Sequence, residues 1–161
     1  EQDSLNKAIQ QAQAQQQKQE QQQAQQTYQE DVANSQNALN NVTSDNKIAS
    51  NDTSYTQSKN TTIATDAQGL ENTNQEIQQD EQALEKDLAQ IKQLANSTTG
   101  FNEQAFNQAQ KQEQQDEQTL QNDENAFNTE QDSLNKAIAN AKHANPTPSH
   151  APTPTKHTAQ N

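Results

Sequence analysis

Three histidines, His143, His150 and His157, recur seven residues apart towards the C-terminus. Imidazoles at regular spacing are the usual material of a metal site. These lie in or beside a segment carrying Pro146, Pro148, Pro152 and Pro154, with no carboxylate close by. Nothing preorganises them, so no metal ligand and no cofactor ligand is assigned. Three adjacent acid pairs, Asp80/Glu81, Asp116/Glu117 and Asp123/Glu124, have the residue types of a general acid–base dyad. That chemistry requires a desolvated cleft to move a pKa. A coil of two helices has none, and the pairs are expected on solvated faces. No cysteine is present, every histidine is near the C-terminal segment, and no glycine-rich phosphate loop or EF-hand spacing exists. The expectation is a protein with no catalytic residue, not an enzyme.

Composition points to elements that would position something other than a reacting group. Only 26% of the 161 residues are apolar, against roughly 45–50% in globular domains. Half of the apolar residues are alanine, leaving 21 large ones, while Gln and Asn together number 53. A compact domain of this length must bury most of its unfolded surface to offset chain entropy. So few large side chains fill a thin seam and not a globular interior.

The formal net charge is −12, from ten lysines, no arginine and 22 acidic residues. Counterion release from nucleic acid and base reading both need basic side chains, so no nucleic-acid partner is expected. An acidic surface is repelled by anionic lipid, and no apolar run approaches the ~20 residues that span a bilayer, so membrane insertion is not expected either.

Residues 1–143 contain no proline, and long parts of that stretch are built from the good helix formers Ala, Gln, Glu, Lys and Leu. From Tyr28 to Ala95 one heptad phase continues without a slip. Its first position holds Tyr28, Ser35, Val42, Ala49, Thr56, Ile63, Leu70, Ile77, Leu84 and Ile91. The second, four residues on, holds Val32, Leu39, Asn46, Thr53, Asn60, Ala67, Asn74, Glu81, Leu88 and Ala95. Ten of the thirteen large apolar residues in the stretch fall on these two positions, the pattern of a left-handed coiled coil. A third track, Asp31, Asp45, Asp52, Asp66, Asp80 and Asp87, is expected to be a solvated acidic face.

Asn96-Ser-Thr-Thr-Gly100 predicts a turn. Beyond it a further heptad runs Phe106, Glu113, Leu120, Phe127, Leu134, Ala141, with Ile138 on the companion position. If the chain reverses at the turn, Ile91 meets Phe106, Ile77 meets Leu120, Leu70 meets Phe127 and Ile63 meets Leu134, with Leu84 against Glu113 as the weak layer. Two all-α arrangements follow. In the first, an elongated antiparallel coiled-coil hairpin, a helix from about 2 to 96 turns at 97–100 into a helix from about 101 to 143. In the second, a slim three-helix bundle, the chain also turns near residues 49–54, inside the Asn/Ser/Thr/Asp-rich stretch 43–62. The unbroken phase favours the first and the nearly equal thirds favour the second; the hairpin is the reading adopted. Residues 10–26, almost all Gln and Ala, have no seam. Residues 144–161 are expected to be a disordered Pro/Thr-rich linker.

Residues 1–9, Glu-Gln-Asp-Ser-Leu-Asn-Lys-Ala-Ile, recur identically at 130–138. The chain reads as slightly more than one unit of a tandem array with a 129-residue period, an architecture in which each unit touches only its neighbours.

The heptads Ser35-Gln-Asn-Ala-Leu-Asn-Asn-Val42, Ile48-Ala-Ser-Asn-Asp-Thr-Ser-Tyr55 and Gln79-Asp-Glu-Gln-Ala-Leu84, followed by the Pro/Thr segment, resemble the coiled-coil regions of wall-anchored surface proteins of lactobacilli and related Gram-positive bacteria, of the surface-exclusion type. The resemblance covers the whole chain in style and includes no sorting motif. It implies an extracellular, cell-wall-associated stalk that presents a distal domain for cell contact or adhesion. Its partners would be proteins, copies of itself joined through heptad seams, or a host or neighbouring-cell surface. Two other readings are a helical regulatory or targeting segment of a secreted peptidoglycan hydrolase and an adhesin whose coil binds a partner directly.

Overall fold

The computed structural model describes residues 1–144, with side chains through His143; His150, His157 and residues 145–161 of the expected linker lie outside the described residues, while Ala144, expected to open that linker, ends the last helix. The described chain is all-α. Helix α1 runs Gln2–Asp52, a 3₁₀ turn covers Thr53–Gln57, α2 runs Thr61–Ala95 and α3 runs Glu103–Ala144.

The long first helix expected over residues 2–96 does not form, because the chain leaves helical geometry after Asp52. The local chemistry explains the break. Thr53 turns its hydroxyl back to the Ala49 carbonyl (3.0 Å) and Thr56 to that of Thr53 (2.7 Å), the side-chain competition that weakens a helix at Ser and Thr. Ser58 is extended, at φ −63° and ψ 141°. Asn60 then caps α2, its Oδ1 accepting from the backbone N–H groups of Thr62 (3.0 Å) and Ile63 (3.3 Å). Asn60, placed in a seam by its heptad position, is thus an exposed cap.

The described residues form two compact units, one of Glu1–Ser35 with Ala83–Gln115, the other of Gln36–Gln82 with the residues from Asp116 onward. In the first unit Ala24, Ile91, Ala95, Phe101, Phe106 and Ala109 make an apolar cluster, with Tyr28 and Leu94 packed against it. The start of α3 is held by two devices. Asn102 Oδ1 accepts from Ala105 N at 3.0 Å, and the residues flanking the first turn, Phe101 and Phe106, pack with tilted rings 5.5 Å apart between centroids, a hydrophobic staple. Gly100, at φ 127°, supplies the backbone conformation the connection needs. In this unit Glu113, on the expected weak layer, is 1% exposed and accepts a hydrogen bond from Ser35 Oγ at 2.9 Å. A hydroxyl from α1 therefore satisfies the polar break in the α3 seam.

In the second unit α1 and α2 run antiparallel. Gln78 Nε2 donates to Asn46 Oδ1 (2.8 Å) and Thr53 Oγ1 lies against the Glu71 carboxylate, two contacts one heptad apart in opposite chain directions. Val42, Leu70, Ile77, Leu120, Phe127 and Leu134 are fully buried here, and Tyr55 and Ile63 nearly so. Gly69 lies inside α2, not at a break, and a Cβ on it would stand 3.0 Å from Glu130 Oε2.

Candidate functional site: a buried carboxyl cluster

The acidic track expected to face solvent is instead largely interior. Asp31, Asp45, Asp52 and Asp87 are buried, and Asp66 and Asp80 are half-buried. On α1 the same heptad position carries Ala24 and Ala38, both buried, whereas Val32 and Leu39 are only half-buried. The second core position of α1 is therefore three residues after the first and not four. A helix packed on two neighbours covers a stripe wider than one two-stranded seam, and here the small and acidic residues occupy its inner half.

The second unit brings four of these acids together with partners that sequence spacing had left apart. Asp45 of α1 is hydrogen-bonded to Glu124 of α3; burial pushes Asp45 up to about 7, the bond from Glu124 opposing the rise. Glu124 is pushed up to about 9, first by burial, then by the Asp45 charge, the hydrogen bond to Asp45 and the Asp80 charge. Burial raises both acids, and the hydrogen bond between them requires a proton on at least one. Asp80 of α2 is raised to about 7 by burial, by its hydrogen bond with Asp123 and by the charges of Asp123, Glu76 and Asp116. Nearer the α1–α2 turn, burial alone raises Asp52 to about 6, and burial followed by the Asp52 charge raises the Tyr55 phenol. Glu130 is raised mainly by burial, and a hydrogen bond with Thr73 opposes this.

Of the acid pairs noted in the sequence, Asp80, Asp116, Asp123 and Glu124 converge on this cluster, and their chain neighbours Glu81 and Glu117 are half-buried. Burial pushes Asp45, Asp80 and Glu124 towards the protonated form, as an acid–base dyad would require. Asp45 and Glu124, 0% and 1% exposed, are covered by the helices that carry them, so a substrate reaches neither without parting the fold. Among the described residues no group of three or more His, Cys, Asp or Glu side chains is arranged to hold a metal ion. His143 is exposed in the last turn of α3. No helix of the described residues is long and apolar enough to cross a membrane.

A second constellation lies in the first unit, within the Gln/Ala run that has no seam. Gln17, Gln21 and Gln25, four residues apart on one face of α1, donate through Nε2 to the α2–α3 connection. Gln17 reaches the Phe101 carbonyl (3.2 Å), and Gln21 reaches those of Ala95 (3.1 Å) and Ser97 (2.7 Å). Gln25 reaches the Ala95 carbonyl (3.3 Å) and Asn96 Oδ1 (3.1 Å). The last carbonyls of a helix have no partner within it; here another helix provides them. The spacing of four was visible in the sequence, but no hydrophobic period marks it.

Compared with known proteins, the chain matches no family model, no curated protein and no solved structure.

Proposed function

We propose that this chain is a structural spacer of an extracellular, wall-associated bacterial surface protein, a slim helical stalk that sets the distance between the cell and a functional domain. Helix length carries this reading: α1 alone has 51 residues, about 77 Å at ~1.5 Å per residue, against the ~10–14 residues usual in globular proteins. The few large apolar residues support it as well, since Leu70, Ile77, Leu84, Ile91, Leu120, Phe127 and Leu134 are fully buried along helices that are otherwise polar. The sequence resemblance to coiled-coil regions of wall-anchored proteins, and the Pro/Thr segment after the helices, support the address.

A display experiment tests it. An epitope is placed on a Gram-positive cell surface behind one, two or three copies of residues 1–144, and its access to antibody fragments of increasing size is measured. A stalk gives access that grows with copy number; access independent of copy number overturns the proposal.

A further inference from the structure

The two copies of the nine-residue segment have opposite environments. At 130–138 it lies in α3, with Gln131 0%, Leu134 0%, Ala137 9% and Ile138 3% exposed. At 1–9 the corresponding Gln2, Leu5, Ala8 and Ile9 are all exposed, Leu5 by 56% and Ile9 by 46%. Both copies are helical apart from Glu1, so the same side chains project at the same spacing. The first copy presents the same face without its seat. The seat exists in the same chain, because the second copy occupies it: Glu130 lies against Gly69 and Thr73 of α2, in the unit that buries Ile63, Ala67 and Leu70.

We infer that the Gln2–Leu5–Ala8–Ile9 face docks on the α1–α2 end of a second copy of this chain, with one segment acting as the end of α3 in the first copy and the start of α1 in the next. At the 129-residue period, residue 130 of one copy is residue 1 of the following copy. No loop is then needed between them, and α3 continues into α1 as one helix of roughly 80 residues, about 120 Å at ~1.5 Å per residue. Sharing also removes the competition that two separate segments would have for one seat.

The stretch that follows fits a joint. Residues 10–19, Gln-Gln-Ala-Gln-Ala-Gln-Gln-Gln-Lys-Gln, are helical and exposed throughout, and bridging packed bodies through solvent is one of the few arrangements that sustain a helix polar on all sides. In the single chain only its C-terminal side is anchored, by Gln17 and Gln21. In a shared helix both sides are anchored, which suppresses fraying. This joint is independent of where the protein is located.

The test compares two chains: a shared one (residues 1–129 followed by 1–161) and an unshared one (residues 1–144 followed by 1–161). The readout is amide hydrogen exchange at residues 10–19 of the second copy, with thermal unfolding followed by circular dichroism. In the shared chain exchange at these amides is expected to slow by about tenfold or more relative to the single chain, with one unfolding transition. In the unshared chain they exchange as in the single chain. Equal exchange in the shared and unshared chains, two independent transitions in the shared chain, or its failure to fold each overturns the inference.

Discussion

Asp45 of α1 and Glu124 of α3 form a buried carboxyl pair in the interior of the second unit, joined by a hydrogen bond that exists only while at least one of the two acids is protonated. Neither group is accessible to solvent beyond 1%. A layer of carboxyl groups where a core would hold leucine ties the stability of this fold to pH.

The first prediction gives that link a direction. Asp45 and Asp80 are raised to about 7, Asp52 to about 6 and Glu124 to about 9, all above the roughly 4 of an unfolded carboxyl. The native state therefore binds more protons than the unfolded state between about pH 4 and 9, and stability falls as pH rises through that window. The stabilisation is fully present below about pH 4 and is lost progressively as pH rises towards and through the folded values of about 6 to 9. Thermal midpoints at pH 4.5, 7 and 9 are expected to decrease in that order. A midpoint that rises with pH contradicts the buried cluster.

Neutralising one member should remove part of this dependence. Asp45→Asn keeps the shape and leaves no charge to desolvate, so at pH 8 the variant is expected to be more stable than the parent by about 1–2 kcal/mol. At pH 4.5, where Asp45 is protonated in the parent, the gain should vanish. Urea denaturation at the two pH values measures the difference, and equal effects at both would place Asp45 in solvent.

The cluster was hidden in the sequence for a physical reason. Six aspartates on one heptad position look like a solvated stripe, since a charge in water costs nothing and a buried one must be neutralised or paired. The larger Val32 and Leu39 also drew the second seam of α1 to the wrong face. The break after Asp52 had a compositional signal in the Thr, Ser and Asn residues that follow, but Thr56 and Ile63 keep the heptad phase across it, so periodicity alone read one helix through the turn. The α3 seam was legible throughout, because Phe106, Leu120, Phe127 and Leu134 are large and all are buried at heptad spacing. The glutamine ladder of Gln17, Gln21 and Gln25 could not be read from hydrophobicity, because it acts through hydrogen bonds alone.

That ladder gives a third prediction. Gln21 donates to the last carbonyl of α2, that of Ala95, and to that of Ser97 in the connection. A hydrogen bond of this kind contributes about 0.5–1.5 kcal/mol, so Gln21→Ala is expected to cost about 1–2 kcal/mol and to speed amide exchange in the 96–102 connection. Gln22→Ala, one residue on and exposed, is the control and should change stability by less than about 0.5 kcal/mol. If the two variants behave alike, the ladder does not hold the turn.

The nine-residue repeat allows one substitution to be made twice in an identical local sequence. Leu134 is fully buried and Leu5 is 56% exposed. Leu134→Ala removes packed side-chain volume and leaves a cavity, and is expected to cost about 2–4 kcal/mol. Leu5→Ala removes few contacts and replaces leucine by the best helix former, so the change should lie within about 0.5 kcal/mol of zero. Because residues 1–9 and 130–138 match at every position, helix propensity and neighbouring side chains cancel between the two variants. What remains is tertiary packing, read from denaturant midpoints at one pH. Equal costs would mean that the two copies of the segment share one environment, and the distinction between a seated and an unseated copy would fail.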